Sequence, residues 1–155
     1  MNIQNNTNNI SLTEFCIAEN AAKMVIANAG YDVPDDVRIV ADNLTKKKVW
    51  SGMAFISANL VELHFAEDMR PCVSTKKVLG SQKKRIPLYS KQAAINAAMA
   101  HELAHIAVGG VYHDLVKSIE AEAVMYQMRR DNVAHKELRV LAETQLREWL
   151  GWEYK

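Results

Sequence analysis

The sequence predicts an α+β fold on three observations: a helix-period segment behind a capping box near the N-terminus, short β-prone segments between Pro34 and Tyr89, and helical segments from Lys91 onward. Strands grouped together and helices grouped after them point to separate layers rather than strict α/β alternation. A chain of 155 residues, 49% hydrophobic and 24% charged, has the size and composition of one globular domain with a buried core.

Residues 1–10, MNIQNNTNNI, are polar and asparagine-rich and predict a disordered tail, leaving 11–155 as a single domain. Ser11 and Glu14 have capping-box spacing, and Phe15, Ala18, Ala22, Val25 and Ile26 recur at helical intervals until Gly30. Pro34, Asp35 and Asp36 mark a turn. Beyond it VRIVAD, WSGMAFIS and LVELHF predict the short strands of a small, mostly antiparallel sheet, separated by polar stretches at 45–48 and 58–59. Residues 67–85 show no clear periodicity. RIPLY, at 85–89, predicts one more strand, which Pro87 directs to a sheet edge. Ser90 is placed to cap a helix over 91–108, and Gly109 and Gly110 supply the residues that end one. Two further helices are expected, over 114–130 and 135–150. In the last, Leu138, Leu141, Ala142 and Trp149 share a face, and Glu143 and Arg147 form an i,i+4 pair.

A net charge of +1 provides no global field to draw in nucleic acid or an anionic membrane, so such contacts would have to rest on a local patch. Cys16 and Cys72 stand far apart without a CxxC, which suggests neither a disulfide framework nor a cysteine zinc knuckle. The N-terminal residues lack the basic and apolar regions of a signal peptide. The most apolar stretch, 93–108, is interrupted by Asn96, His101, Glu102 and His105 and falls short of a membrane span. A cytoplasmic protein without a membrane partner is expected.

The most informative residues are His101-Glu102-Leu103-Ala104-His105, an HExxH inside a predicted helix. Residues four apart lie one turn apart on one face, so two neutral imidazoles can bind one Zn²⁺ while Glu102 reaches a water as general base. The helix has two distinct faces. Met99, Leu103 and Ile106 form a large apolar side fit to pack on a sheet, and Ala94, Ala98 and Val108 flank the histidines, leaving room for a neighbouring helix.

Such a site needs a third protein ligand, and His113, Asp114, Glu120 and Glu122 are the downstream candidates. On one helix Glu120 and Glu122 point about 200° apart, so at most one faces the metal. Val116, Ala123, Val124 and Gln127 surround Glu120, and a carboxylate on that apolar side needs a partner. Glu122 shares its side with Ser118 and Arg129, as on a solvated face. Glu120 is therefore the favoured ligand, with Glu122 as the alternative. His113 is eight residues beyond His105, and Val108 stands where a three-histidine pattern wants glycine. His113 and Tyr112 are accordingly candidates to support catalysis by hydrogen bonding, as is Tyr126, with packing as the plainer role for the aromatics.

HELAH followed by IEAEAVMY resembles a small gluzincin, similar to the ImmA/IrrE family and more distantly to peptidase family M48, over about 86–128. The resemblance implies a zincin-like metallopeptidase domain with one Zn²⁺ per chain on His101, His105 and Glu120, and Glu102 as base. It also implies hydrolysis of a peptide bond in a specific protein target, with prophage or mobile-element regulation as its setting. Val124 departs from the pattern, standing where these families carry a polar residue that supports the site. In zincins of this kind an edge strand beside the zinc helix pairs with extended substrate, a role that would fall to 85–89 and so to Ile86 and Leu88.

Lys76, Lys77, Lys83, Lys84 and Arg85 form the one dense basic segment, whose plainer reading is a solvated loop. Two rivals stand beside the peptidase: a catalytically silent zincin-fold binding module, and a nucleic-acid-associated regulator using that segment. The expected partner is a protein or peptide substrate rather than nucleic acid.

Overall fold

The computed structural model describes residues 2–44, 50–67, 72–78, 82–87 and 91–131, with side chains described outside 72–87. The predicted helix over 135–150, the Ser90 cap and Leu88 lie outside the described residues. The elements are β1 (Asn2–Asn5), α1 (Leu12–Asn28), β2 (Arg38–Leu44), β3 (Trp50–Phe55), β4 (Leu60–Ala66), β5 (Cys72–Val78), β6 (Gln82–Pro87), α2 (Lys91–Val108) and α3 (His113–Asp131). Among the described residues, a four-stranded sheet in the order β1-β2-β4-β3, a two-stranded sheet of β5 and β6, and three helices make this an α+β fold. No helix among the described residues is long and apolar enough to cross a membrane.

The four-stranded sheet is mixed rather than mostly antiparallel. β1 pairs with β2 and β2 with β4 in parallel, and only β3 runs antiparallel, on the outer edge of β4. The physical reason lies at the N-terminus. Residues expected in a disordered tail form β1, and α1 becomes the crossover that joins β1 to a parallel β2. Asparagine side chains hold this segment alongside the apolar packing of Ile3 and Ile10. Asn5 Nδ2 donates to the Ile10 carbonyl at 2.7 Å, Asn43 Nδ2 donates to Asn9 Oδ1 at 2.9 Å, and Asn9 Nδ2 donates to the Ala66 carbonyl at 3.0 Å.

Period-two alternation sends Ile39, Ala41, Val61, Leu63 and Phe65 to one fully buried face of the sheet. The helices cover that face. Phe15 of α1 lies 5.8 Å from Phe65, centroid to centroid. α2 is buried almost all round, with Ile95, Met99, Leu103 and five of its alanines among the inaccessible residues, and it packs on the sheet, α1 and α3. The expected contact of Met99, Leu103 and Ile106 with the main core is observed.

Two polar ties orient the helices. Gln92 Nε2 donates to Asn96 Oδ1, Asn96 Nδ2 to Gln127 Oε1 at 3.1 Å, and Gln127 Nε2 to Asp131, a ladder whose buried central bond ties α3 to α2. At the start of α1, the predicted capping box is present. Ser11 Oγ accepts from the Glu14 N–H at 3.1 Å, and Glu14 Oε1 accepts from the Ser11 N–H at 3.0 Å. Lys91 Nζ donates to the Asn9 carbonyl and, at 3.2 Å, to Glu14, so the box also anchors α2.

Burial alone would raise the Glu14 pKa, but the Ser11 N–H and the Lys91 ammonium outweigh it and hold the carboxyl below its ordinary 4.5. A lowered folded pKa stabilises above the ordinary value and loses that stabilisation as pH falls through the folded value. Ser11→Ala is expected to cost about 1 kcal/mol at pH 7 in urea unfolding. The stability gap between wild type and Glu14→Gln is expected to shrink as pH drops below 4.5. A gap independent of pH would show that the carboxylate charge contributes nothing.

Candidate metal centre

Helical spacing brings His101 and His105 together near the C-terminal end of α2. Their Nε2 atoms are 3.3 Å apart and their rings meet edge to face at 4.9 Å. Two nitrogens bound at about 2.0–2.1 Å to one tetrahedral zinc stand about 3.3–3.4 Å apart, so the pair has the separation of two ligands on one ion.

The loop after α2 settles which nitrogen of His105 is available. His105 Nδ1 lies 2.9 Å from the Gly110 carbonyl oxygen, which can only accept, so the proton is on Nδ1 and the Nε2 lone pair faces His101. Burial lowers the His105 pKa, and the hydrogen bond to Gly110 only partly opposes this, so the ring is held in its neutral, ligand-competent form. The chain makes this turn with Gly109 at φ +70° and Tyr112 at φ +32°, both in the left-handed region. The Tyr112 ring lies so close over Gly110 that a β-carbon there would be 2.7 Å from Cε2.

His101 is placed differently. Burial alone would lower its pKa, but the Glu120 and Glu102 carboxylates more than offset that and raise it. Glu120 Oε1 is 3.3 Å from His101 Nδ1, yet out of line for a hydrogen bond, and Nδ1 is a buried nitrogen with no hydrogen-bond partner. Glu102 is 4% exposed, with Oε1 3.8 Å from His101 Nε2. Burial pushes its carboxyl up to about 7, with His101 opposing and Glu120 adding to the rise.

α3 brings Glu120, not Glu122, to the histidines. Glu122 faces the other way and lines a shallow pocket with Val25, Asn28, Ala29, Ser118 and Ile119 between α1 and α3. His113 is exposed, its ring 6.1 Å from that of His105, and Tyr112 is 64% exposed at the mouth of the same loop. The Tyr126 hydroxyl accepts from Arg130 at 3.1 Å along the surface of α3. Val124 is buried and offers the site no polar contact. Among the described residues, no three His, Cys, Asp or Glu side chains are arranged to hold a metal ion as they stand. Glu120 approaches His101 from Nδ1, the side opposite the shared Nε2 pair.

The strand beside this centre is β3. Gly52 pairs with Leu63, so it faces the helix, and a β-carbon at position 52 would sit 2.8 Å from Glu102 Cγ and 3.1 Å from Oε1. Trp50, two residues earlier on the same face, packs edge-on against His101 with centroids 5.6 Å apart. Ile86 instead lies on β6, opposite Val73 of β5, and Leu88 is outside the described residues. Trp50 and Gly52 were not among the predicted site residues. The available signal was a lone glycine within a strand pattern, which marks close approach by another group.

No family model matches the chain, and neither a curated protein nor a solved structure is found to be similar to it.

Gly52→Ala is expected to destabilise the fold by about 1–3 kcal/mol through overpacking against Glu102. Adding Glu102→Ala removes the obstructing side chain, so the double variant is expected to be less unstable than the two single costs sum to. Strict additivity in urea unfolding would show that the two residues do not meet.

Proposed function

We propose that the chain is a zinc-dependent metallopeptidase-like enzyme that hydrolyses a peptide bond in a specific protein target. One observation carries the reading: a neutral His105, its Nε2 freed by the Gly110 hydrogen bond, stands 3.3 Å from His101 Nε2, with Glu102 beside them and Glu120 against the same imidazole. The donor set suits zinc. His101 and His105 would hold it through their facing Nε2 atoms, and Glu120, which lies against His101 Nδ1, would have to turn to the Nε2 side to serve as the third ligand.

When bound, zinc supplies the Lewis acidity that makes water a nucleophile near neutral pH and polarises a carbonyl. Glu102 takes the proton of the attacking water and returns it to the departing amine, a role that suits a carboxyl with a pKa of about 7. Exposed His113 stands at the rim, beyond His105, where it can donate to the carbonyl oxygen under attack. Among the described residues β3 is the edge of its sheet and borders Glu102, so an extended peptide adding to that edge would pass close to the reacting groups. The resemblance to ImmA/IrrE proteins supports a regulatory, phage- or mobile-element-linked role in the cytoplasm, acting on one protein rather than many.

Elemental analysis is the direct test. Wild type is expected to carry near one zinc per chain, with Glu120→Ala losing most of it and Glu122→Ala retaining it. Glu102→Gln is expected to keep the metal while lowering hydrolysis of a cleaved target by about 10²–10⁴-fold. A wild-type chain that takes up no zinc when zinc is supplied would overturn the reading. Zinc retained without any effect of Glu102→Gln on cellular activity would favour a silent binding module.

A further inference from the structure

The basic segment, which the catalytic reading leaves without a role, places its five cations on strands. Residues 72–87 contain five lysines and arginines, no acidic residue and no aromatic one. They hold β5 and β6, an antiparallel pair that among the described residues forms a sheet of its own.

The pairing concentrates the charge. Ser74 stands opposite Arg85, Thr75 opposite Lys84 and Val78 opposite Gln82. Between the last two pairs the register shifts, so Lys76 and Lys77 of β5 stand against Lys83 alone on β6, two residues against one as in a β-bulge. All five cations therefore occupy three successive levels of the ribbon. Like charges at facing and neighbouring positions destabilise a strand pair, and an isolated two-stranded pair is marginal in water to begin with. The pattern favours a state in which a polyanion lies against the ribbon.

We propose that β5 and β6 form a basic β-ribbon that binds the phosphate backbone of double-stranded DNA. A two-stranded ribbon fits the major groove of B-form DNA, whereas the deep, narrow major groove of A-form RNA excludes it. The lack of aromatic residues removes the stacking platform that single strands require. The charge is also local. With a net charge of +1 over the whole chain, the residues outside the ribbon are net negative, which confines the attraction to this element.

The test is fluorescence anisotropy of a labelled duplex of about 20 base pairs with the full chain, titrated across salt. Binding is expected, with a log–log salt slope of about −2 to −4.5, the limit for five phosphate contacts at about −0.9 each. The triple variant Lys83→Gln, Lys84→Gln, Arg85→Gln is expected to bind at least tenfold more weakly and to reduce the slope by about 2–3, with its far-UV spectrum unchanged and its melting no lower than wild type. If the triple variant does not fold, Lys76→Gln with Lys77→Gln is expected to reduce the slope by about 1–2. No binding at low salt, a slope near zero, or unchanged slopes in a folded variant would each overturn the proposal. Single-stranded DNA of equal length binding as tightly would overturn it too, and displacement of the duplex by polyglutamate at equal charge would assign the ribbon to an acidic protein instead.

Discussion

α2 runs between the sheet, α1 and α3 while carrying His101, Glu102 and His105 in its last two turns. Desolvating those groups is the constraint to which the neighbouring elements respond. A buried imidazole or carboxylate without partners costs several kcal/mol or changes its protonation state. Each is met by a different element: the Gly110 carbonyl lies 2.9 Å from His105 Nδ1, Glu120 lies 3.3 Å from His101 Nδ1, and Gly52 of β3 packs close on the Glu102 side chain. Among the described residues, His101 Nδ1 is the one buried side-chain nitrogen or oxygen without a hydrogen bond, and it lies within the cluster.

Each neighbour is positioned from outside the centre. The Asn96–Gln127 contact fixes the register of α3 on α2, and Glu120, two turns before Gln127, shares its face. Tyr112 and Gly109 adopt left-handed backbone so that the Gly110 carbonyl turns back onto His105. β3 closes the remaining side because Gly52 has no side chain to hold it away from the helix. These contacts come from a helix, a loop and a strand, so the cluster depends on the whole packing arrangement rather than on the HExxH helix alone.

Polar interactions do comparable work at the other end of the molecule. β1 has little apolar side chain to bury apart from Ile3, yet it completes the sheet through ladder bonds and through asparagines that satisfy neighbouring carbonyls. The Lys91 link from the start of α2 to Asn9 and Glu14 connects this asparagine network to the helix that carries the histidines. The N-terminal segment and the candidate centre thus share one mechanical frame.

The sequence by itself determined the α+β class, the capping box at Ser11 and Glu14, and α2 and α3 with nearly their observed bounds, because helical periodicity and caps are local signals. It also separated Glu120 from Glu122, since residues two apart on a helix cannot face the same way. Tertiary structure decided the rest. Parallel pairing of β1 with β2 and of β2 with β4 rests on long-range contacts, and β1 is an asparagine-rich strand that carries no apolar alternation to announce it. That Gly52 of β3 lies against Glu102 was also decided by packing between segments distant in sequence, which no local signal encodes. The tautomer of His105 likewise rests on the Gly110 carbonyl, whose direction is fixed only when the loop after α2 folds back.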